Sequence, residues 1–241
     1  MKVILFGSTG YVGAEVLRRC LDRPDITSII AISRRAPAIT HAKLTFIQHS
    51  DFSHYTDETL AHFAAAQACI YCLGTNFPVS PPELNRKMNF EYALDTARTF
   101  AALARGKQNA GEPGAGAFRF VYNSGALVEK DATARLWFLE KTRKMRGDIE
   151  NALLQLQREQ EKAESAPDAT GSPAFEVLIA RPGGVMPQGA VIRTWLGSWL
   201  APAIMVGDLG VAMLELAVGG NRDEGTLVEN ERLIALGRGE A

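Results

Sequence analysis

The stretch "KVILFGSTGYVG", Lys2 to Gly13, joins an apolar, β-branched run to a cluster of three glycines, and its reading decides the fold. Lys2 to Phe6 has the length and composition of a short buried strand. From about Tyr11 the pattern changes to helical: Val12, Val16 and Leu17 share one stripe, with Arg18, Arg19 and Asp22 elsewhere. Each glycine between them has a mechanical use. Gly7 permits a tight turn off the strand, Gly10 lets backbone N–H groups approach a ligand, and Gly13 allows close helix–strand packing. A helix starting near Tyr11 aims its positive end at the loop, where Ser8 and Thr9 add hydroxyls. Strand, glycine loop and helix together predict a pyrophosphate cradle over Gly7, Ser8, Thr9, Gly10, Tyr11, Val12 and Gly13, with a bare turn as the alternative.

The same alternation continues along the chain. Strands are expected at 2–6, 27–33, 44–48, 68–73, 118–124 and 175–180, with helical patterns at about 11–22, 57–66, 83–105 and 137–163. Strands alternating with helices predict an α/β fold, a doubly wound parallel sheet of Rossmann-like type. At 241 residues the expectation is a single domain over 1–241, with 185–241 contributing the substrate side. "GKQNAGEPGAG" (106–116) and "SAPDATGSP" (165–173) read as surface insertions. The later "VIRTWLGSWLAPAIMVG" carries two tryptophans, for which a pocket wall, a homo-oligomer face and plain core packing all stand open.

Composition narrows the function. With 46% hydrophobic and 22% charged residues and a net charge of -1, the chain looks like an ordinary globular protein, with no reason to expect nucleic acid or an acidic membrane as partner. Neither a membrane span nor a signal-peptide layout is seen, so cytoplasmic residence is the expectation. Cys69 and Cys72 form a C-x-x-C inside "ACIYCLG". In a buried strand that spacing puts the side chains on opposite faces, which favours core packing over a metal or redox pair. The four histidines show no ligand spacing, and no metal is expected.

The end of the second strand bears on the cofactor. Folds that hold NAD place a carboxylate about 20 residues past the glycines, for the ribose 2′-hydroxyl. Here the position reads Ser33, Arg34, Arg35. There is no acid to repel a 2′-phosphate, and two guanidiniums are available to hold it in forked hydrogen bonds. NADP(H) is the expected cofactor; a solvated charged turn is the alternative.

These residues resemble the atypical and extended short-chain dehydrogenase/reductase superfamily, especially its small NmrA-like and Tat-interacting-protein-like NAD(P)-binding members. The resemblance covers most of the chain and rests on G-x-T-G-x-x-G (7–13), "SRR" (33–35), "DF" (51–52), "CLGT" (72–75), "NSGA" (123–126) and "RPGGV" (181–185), in the expected order. It implies that Asp51 and Phe52 lie against the adenine and that Leu73 and Gly74 border the middle of the cofactor. It further implies that Ser124 is the catalytic serine, and that Pro182, Gly183 and Val185, in the run from Arg181, pass beside the nicotinamide.

One part of the family pattern is missing. Redox-active members carry Tyr-x-x-x-Lys on the helix after the fifth strand, where the lysine charge lowers the tyrosine pKa for proton exchange with substrate. None of the five tyrosines here (11, 55, 71, 92, 122) is followed four places later by lysine. Two registers of "LWFLEKTRKMRGDIENALL" are open: one puts Trp137 and Lys141 at the pair, the other Thr142 and Arg146, with "RGDIE" matching the family's continuation. Lys141 would bind ribose or act as an acid, and Arg146 would hold an anion or polarise an oxygen. Ser124 would donate to a carbonyl oxygen, and Tyr122 shares its strand face. The expectation is an NADP-dependent oxidoreductase acting on a carbonyl or enol of a hydrophobic small molecule, with a non-standard proton donor. A redox-silent NADP(H)-binding sensor and a non-redox lyase, isomerase or cyclase are the alternatives.

Overall fold

A computed structural model describes residues 1–75, 77–110, 116–131, 133–164, 174–189, 202–221 and 225–240. Seven parallel strands form the main sheet: β1 (Lys2–Phe6), β2 (Ser28–Ser33), β3 (Leu44–Gln48), β4 (Ala68–Tyr71), β5 (Phe118–Asn123), β6 (Phe175–Arg181) and β9 (Leu227–Glu229). Their order is β3-β2-β1-β4-β5-β6-β9, so the fold is the α/β doubly wound sheet expected from the sequence. A small parallel pair, β7 (Gly184–Met186) and β8 (Ala203–Met205), stands beside it. The helices are α1 (Tyr11–Asp22), α2 (Asp57–Phe63), α3 (Pro82–Arg86), α4 (Tyr92–Asn109), α5 (Glu140–Glu164), α6 (Val206–Gly219) and α7 (Asn230–Arg238).

Both faces of the sheet are covered, which is why its strands read as continuous apolar runs. Along β1, Ile4 and Phe6 enter one core and Val3 and Leu5 the other. The first core is aromatic: Phe6 stacks on Tyr71 at 5.4 Å, and Phe100 of α4 stacks on Phe118 at 4.7 Å. The second is aliphatic and joins α1 to α6 through Val16, Leu17, Leu209 and Met213. Cys69 belongs to the aromatic core, whereas Cys72 packs against the aliphatic one, 3.9 Å from Met213 Sδ. The two thiols of the C-x-x-C thus lie on opposite faces, and burial pushes both upward in pKa.

The reversal of strand order between β1 and β4 positions the site. Crossovers leave β1 toward β2 on one side and β4 toward β5 on the other, opening a crevice at the carboxyl ends of the strands. The expected strands end within one or two residues of expectation, and three helical segments differ from it in their bounds. α2 ends at Phe63, its first turn capped by Thr56, whose hydroxyl accepts from Thr59 N. The helix expected at 83–105 runs from Pro82 to Asn109 and contains a π-helical turn at Lys87–Glu91. The helix expected from 137 begins at Glu140, because Leu139 has φ +46°, a conformation a helix cannot contain. Residues 165–173 and the two tryptophans of the segment after 190 lie outside the described residues.

Candidate functional site

The glycine loop has the conformation its composition calls for. Gly7 has φ +79°, and a Cβ on it would lie 2.7 Å from the Cys72 carbonyl carbon. Gly10 N donates to Gly7 O at 2.9 Å, closing the turn, and Gly10 caps α1. A Cβ on Gly13 would fall 2.1 Å from Gly7 O, so only glycine lets α1 approach the loop this closely. Ser8 is buried and its Oγ lies 3.3 Å from that of Ser33, tying the loop to the end of β2. Ser33 Oγ donates to Arg35 O at 2.7 Å and shapes the turn that carries Arg34 and Arg35. Both arginines are exposed, and neither side chain forms an ion pair among the described residues.

From Gly10, Tyr11 and Val12 a cleft of about 580 Å³ runs across the carboxyl ends of β4, β5 and β6. Leu73 and Gly74 form its floor after β4, and Tyr122 to Leu127 follow after β5. Pro182, Gly183, Gly184 and Val185 line it after β6, and Thr142, Arg143, Met145 and Arg146 reach it from α5. Phe77, Pro78, Phe138 and Leu139 make an apolar mouth. The described lining contains two arginines and no carboxylate, so the cleft favours anionic or electron-rich guests.

Hydrogen bonds hold the walls in place. Ser124 N donates to Ala180 O at 2.8 Å and Ala126 N to Pro182 O at 2.7 Å, which extends the β5–β6 ladder into the two loops. Gly183 N donates to Asn230 Oδ1 at 2.7 Å. On the other wall, Asn89 from the π turn accepts from Thr75 N at 2.7 Å, and Asn85 Oδ1 accepts from Val79 N at 3.0 Å. The loop after β4 is thereby strapped to α3 and the turn behind it. Arg143 Nε donates to Leu127 O at 2.6 Å, anchoring the loop after β5, where Leu127 has φ +63°.

Beneath the cleft lies a buried charge cluster. Glu150 of α5 is fully buried; it accepts from Ser124 Oγ at 2.7 Å and from Arg181 Nε at 3.1 Å, and a second Arg181 nitrogen contacts its other oxygen. Lys130 Nζ lies 3.6 Å away, and Arg181 also bonds Glu229 at 2.8 Å. Those two carboxylates hold the Arg181 guanidinium above its usual pKa. Serine has one hydroxyl proton, and here Glu150 takes it, so Ser124 presents lone pairs to the cleft. This changes the role expected for Ser124 from donor to acceptor.

The expected site residues divide into those the fold gathers and those it does not. Gly10, Tyr11, Val12, Leu73, Gly74, Ser124, Arg146, Pro182, Gly183 and Val185 all line the cleft. Lys141 is exposed and does not line it, and Trp137 is 92% exposed ahead of α5. Of the two helix registers, the geometry therefore brings Thr142 and Arg146 to the cleft and leaves Trp137 and Lys141 outside. Phe52 is buried in the aromatic core against Phe6 and Tyr92. Asp51 is exposed and pairs with Lys87 at 3.4 Å, so neither residue lines the cleft. Glu150, Asn85 and Asn89 were not among the expected residues. Glu150 stood in plain view in "RGDIE", but its role depends on Arg181, far off in sequence.

Two observations test whether a dinucleotide fits. Gly7 and Gly13 have no room for a Cβ against Cys72 and Gly7 O, so the loop is held tight at the head of α1, where a pyrophosphate would approach the helix N-terminus. Farther along, Asn123 lines the cleft and its buried Oδ1 has no hydrogen-bond partner among the described residues. An orphaned acceptor of this kind calls for a donor from a guest molecule. The residues present fit the group.

No protein-family model matches the chain. Among curated proteins it is similar to leucinostatins biosynthesis cluster protein T of Purpureocillium lilacinum, 34% identical over 105 residues, 43% of this chain and 39% of that protein. It is also similar to the mitochondrial protein fmp52 of Emericella nidulans, 28% identical over 157 residues, 63% of this chain and 60% of that protein. The chain thus spans less than two thirds of the length of either relative. Among solved structures it resembles MoeE5 in complex with UDP-glucuronic acid and NAD, with TM-score 0.65 and 16% identity over 95% of this chain and 76% of that one. It also resembles the UDP-glucuronic acid 4-epimerase of Bacillus cereus, with TM-score 0.61 and 10% identity over 95% and 77%. The uronate dehydrogenase of Agrobacterium tumefaciens is a further match, with TM-score 0.59 and 16% identity over 95% and 76%. At these identities the likeness is one of fold: the chain has the Rossmann-like fold of these solved structures.

Proposed function

We propose that the chain binds NADP(H) and catalyses hydride exchange with a carbonyl or enol carbon of a hydrophobic small molecule. One observation carries the reading: a single cleft connects the glycine cradle at the head of α1 with Tyr122, Ser124, Thr142 and Arg146, and its described lining holds no carboxylate. The solved structures with NAD in the same fold support a nicotinamide dinucleotide. Arg34 and Arg35, exposed beside Ser33 and without ion-pair partners among the described residues, support the phosphorylated form.

In this reading the amides and hydroxyls of Gly7 to Gly13 hold the pyrophosphate, and Arg34 and Arg35 hold the 2′-phosphate. Asn123 accepts from the carboxamide or ribose end. Bound NADP(H) supplies or accepts the hydride. Arg146 attracts and polarises the substrate oxygen without losing its own proton. Phe77, Pro78, Phe138 and Leu139 exclude water from the mouth and receive an apolar body. The chain acts as one NAD(P)-binding unit, with the part beyond Val185 furnishing the substrate side; Val185 in the cleft wall and β9 in the main sheet support that division.

Calorimetric titration with NADPH and NADH, followed by NADPH consumption against a panel of hydrophobic aldehydes and ketones, tests the reading. Tighter binding of NADPH and turnover of at least one carbonyl are expected. Flat titrations with both cofactors would overturn it. A second reading, a redox-silent NADP(H) sensor, draws on the Ser124 hydroxyl being engaged as a hydrogen-bond donor to Glu150; it predicts tight NADPH binding with no turnover across the panel.

A further inference from the structure

We propose that the proton the missing helix tyrosine would have supplied comes from Tyr122 of β5, which lines the cleft together with Ser124 and Arg146. The inference rests on the oxidoreductase reading above. Tyr122 lies in β5 and Ser124 directly follows the strand's last residue, and both line the cleft with Arg146. Tyr122 is only 6% exposed, so its ring is fixed by packing; it lies 6.0 Å from Tyr71. Its hydroxyl makes no hydrogen bond among the described residues, although it lies close enough to Arg146 and Glu150 to feel both charges.

The other candidates fall away on chemical grounds. The Ser124 hydroxyl already donates its hydrogen bond to Glu150, and the Thr142 hydroxyl does not ionise in the useful range. A guanidinium is not a usable proton donor, which removes Arg146 from the list. Tyr11 is 55% exposed at the nucleotide end of the cleft, away from α5. Among the described lining residues, Tyr122 combines an acidic hydroxyl, a place in the wall and an adjacent cation. Burial raises its pKa most, Arg146 lowers it and Glu150 raises it again, so the phenol is held protonated at neutral pH.

The step balances. As a carbonyl carbon gains a hydride from the reduced nicotinamide, the C=O π pair moves to oxygen. That oxygen forms its O–H bond with the Tyr122 proton as the phenolic O–H bond breaks. The phenolate left behind is stabilised by Arg146 and regains a proton from water after product leaves.

Tyr122→Phe fills the same space and should fold normally. With cinnamaldehyde as probe, the variant is expected to lose about 10²–10³-fold in kcat while NADPH affinity stays within twofold. In the protein without cofactor, the 13Cζ resonance of labelled Tyr122 at neutral pH is expected to move in Arg146→Gln relative to wild type, because the neighbouring positive charge is removed. Wild-type turnover with Tyr122→Phe within threefold of it overturns the proposal and leaves the oxidoreductase reading standing. A Tyr122 resonance indifferent to Arg146→Gln also overturns it. A wild type that binds NADPH but consumes none with any carbonyl overturns the oxidoreductase reading, and the proton-donor role falls with it.

Discussion

Ser124 and Glu150 meet at 2.7 Å beneath the cleft, a hydroxyl at the end of β5 bonded to a fully buried carboxylate on α5. Arg181 at the end of β6 completes the contact, so one carboxylate ties together the two strands and the helix that wall the site. A carboxylate taken fully out of water is tolerable only with such partners. The cluster is best understood as a device that fixes the relative position of three elements. Its net contribution to stability is modest, because burying the charges costs about as much as their attraction returns.

Breaking the cluster from one side is another matter. Glu150→Ala leaves Arg181 and Lys130 partly buried with their shared anion gone. A loss of about 3–5 kcal/mol in unfolding free energy is expected. Ser124→Ala removes one charge-assisted hydrogen bond and should cost about 1.5–3 kcal/mol. Urea unfolding followed by circular dichroism measures both. Equal and small losses for the two variants would mean that Glu150 does not organise the walls.

Gly13→Ala sets helix propensity against close packing. In an exposed helix the change would stabilise by about 1 kcal/mol. Here the new methyl would meet Gly7 O at 2.1 Å, and that oxygen is already held by Gly10 N. Contact wins over propensity, and a net loss of about 1–3 kcal/mol is expected. NADPH affinity should fall at least tenfold, because the loop that must move is the one proposed to hold the pyrophosphate. Thermal unfolding and calorimetry on the same preparation read the two effects separately.

The first third of the chain was readable because its signals are local. A strand of five residues, three glycines and a helix stripe need no distant partner, and β1 and α1 fall at the residues their patterns indicate. The α5 region was not readable in the same way. Trp137 to Leu139 fits a helical pattern, yet Leu139 turns left-handed and α5 starts after it. What sets the register is Gly147, where a Cβ would collide with Glu129 O at 1.9 Å, a contact across a loop that no periodicity encodes. Asn85 and Asn89 were invisible for a like reason, because their clamp on the loop after β4 depends on a π turn inside an ordinary-looking helix.

Arg34 offers a test of cofactor choice that leaves the fold alone. Its side chain is exposed and unpaired among the described residues, so Arg34→Ala should not change stability measurably. Loss of a charge-assisted contact to a 2′-phosphate should cost about 1.5–3 kcal/mol of NADPH binding, roughly 10–100-fold, while NADH affinity stays constant. The effect should shrink with added salt, because the contact is solvent-exposed. An equal fall for both cofactors would place Arg34 elsewhere in the binding surface.

Acid stability carries a signature from α1. Arg18 first, and then Arg19, hold the Glu15 carboxyl below its usual pKa through hydrogen bonds at 2.7 Å each. Glu15 also touches α6, where its Cγ would lie 3.1 Å from a Cβ on Gly210. A carboxylate with a depressed pKa in the folded state contributes stability at neutral pH, where both states are ionised. That contribution begins to fade as pH falls through the unfolded value near 4.5 and is gone once pH passes below the folded one. Glu15→Gln should therefore lower stability at pH 7 by a few tenths to about 1 kcal/mol, since the pairs are partly solvated. It should also flatten the slope of stability against pH below 4.5. Urea midpoints collected between pH 3 and pH 7 for both proteins give the comparison. Parallel curves across that range would show that the Arg18 and Arg19 contacts do not persist in solution.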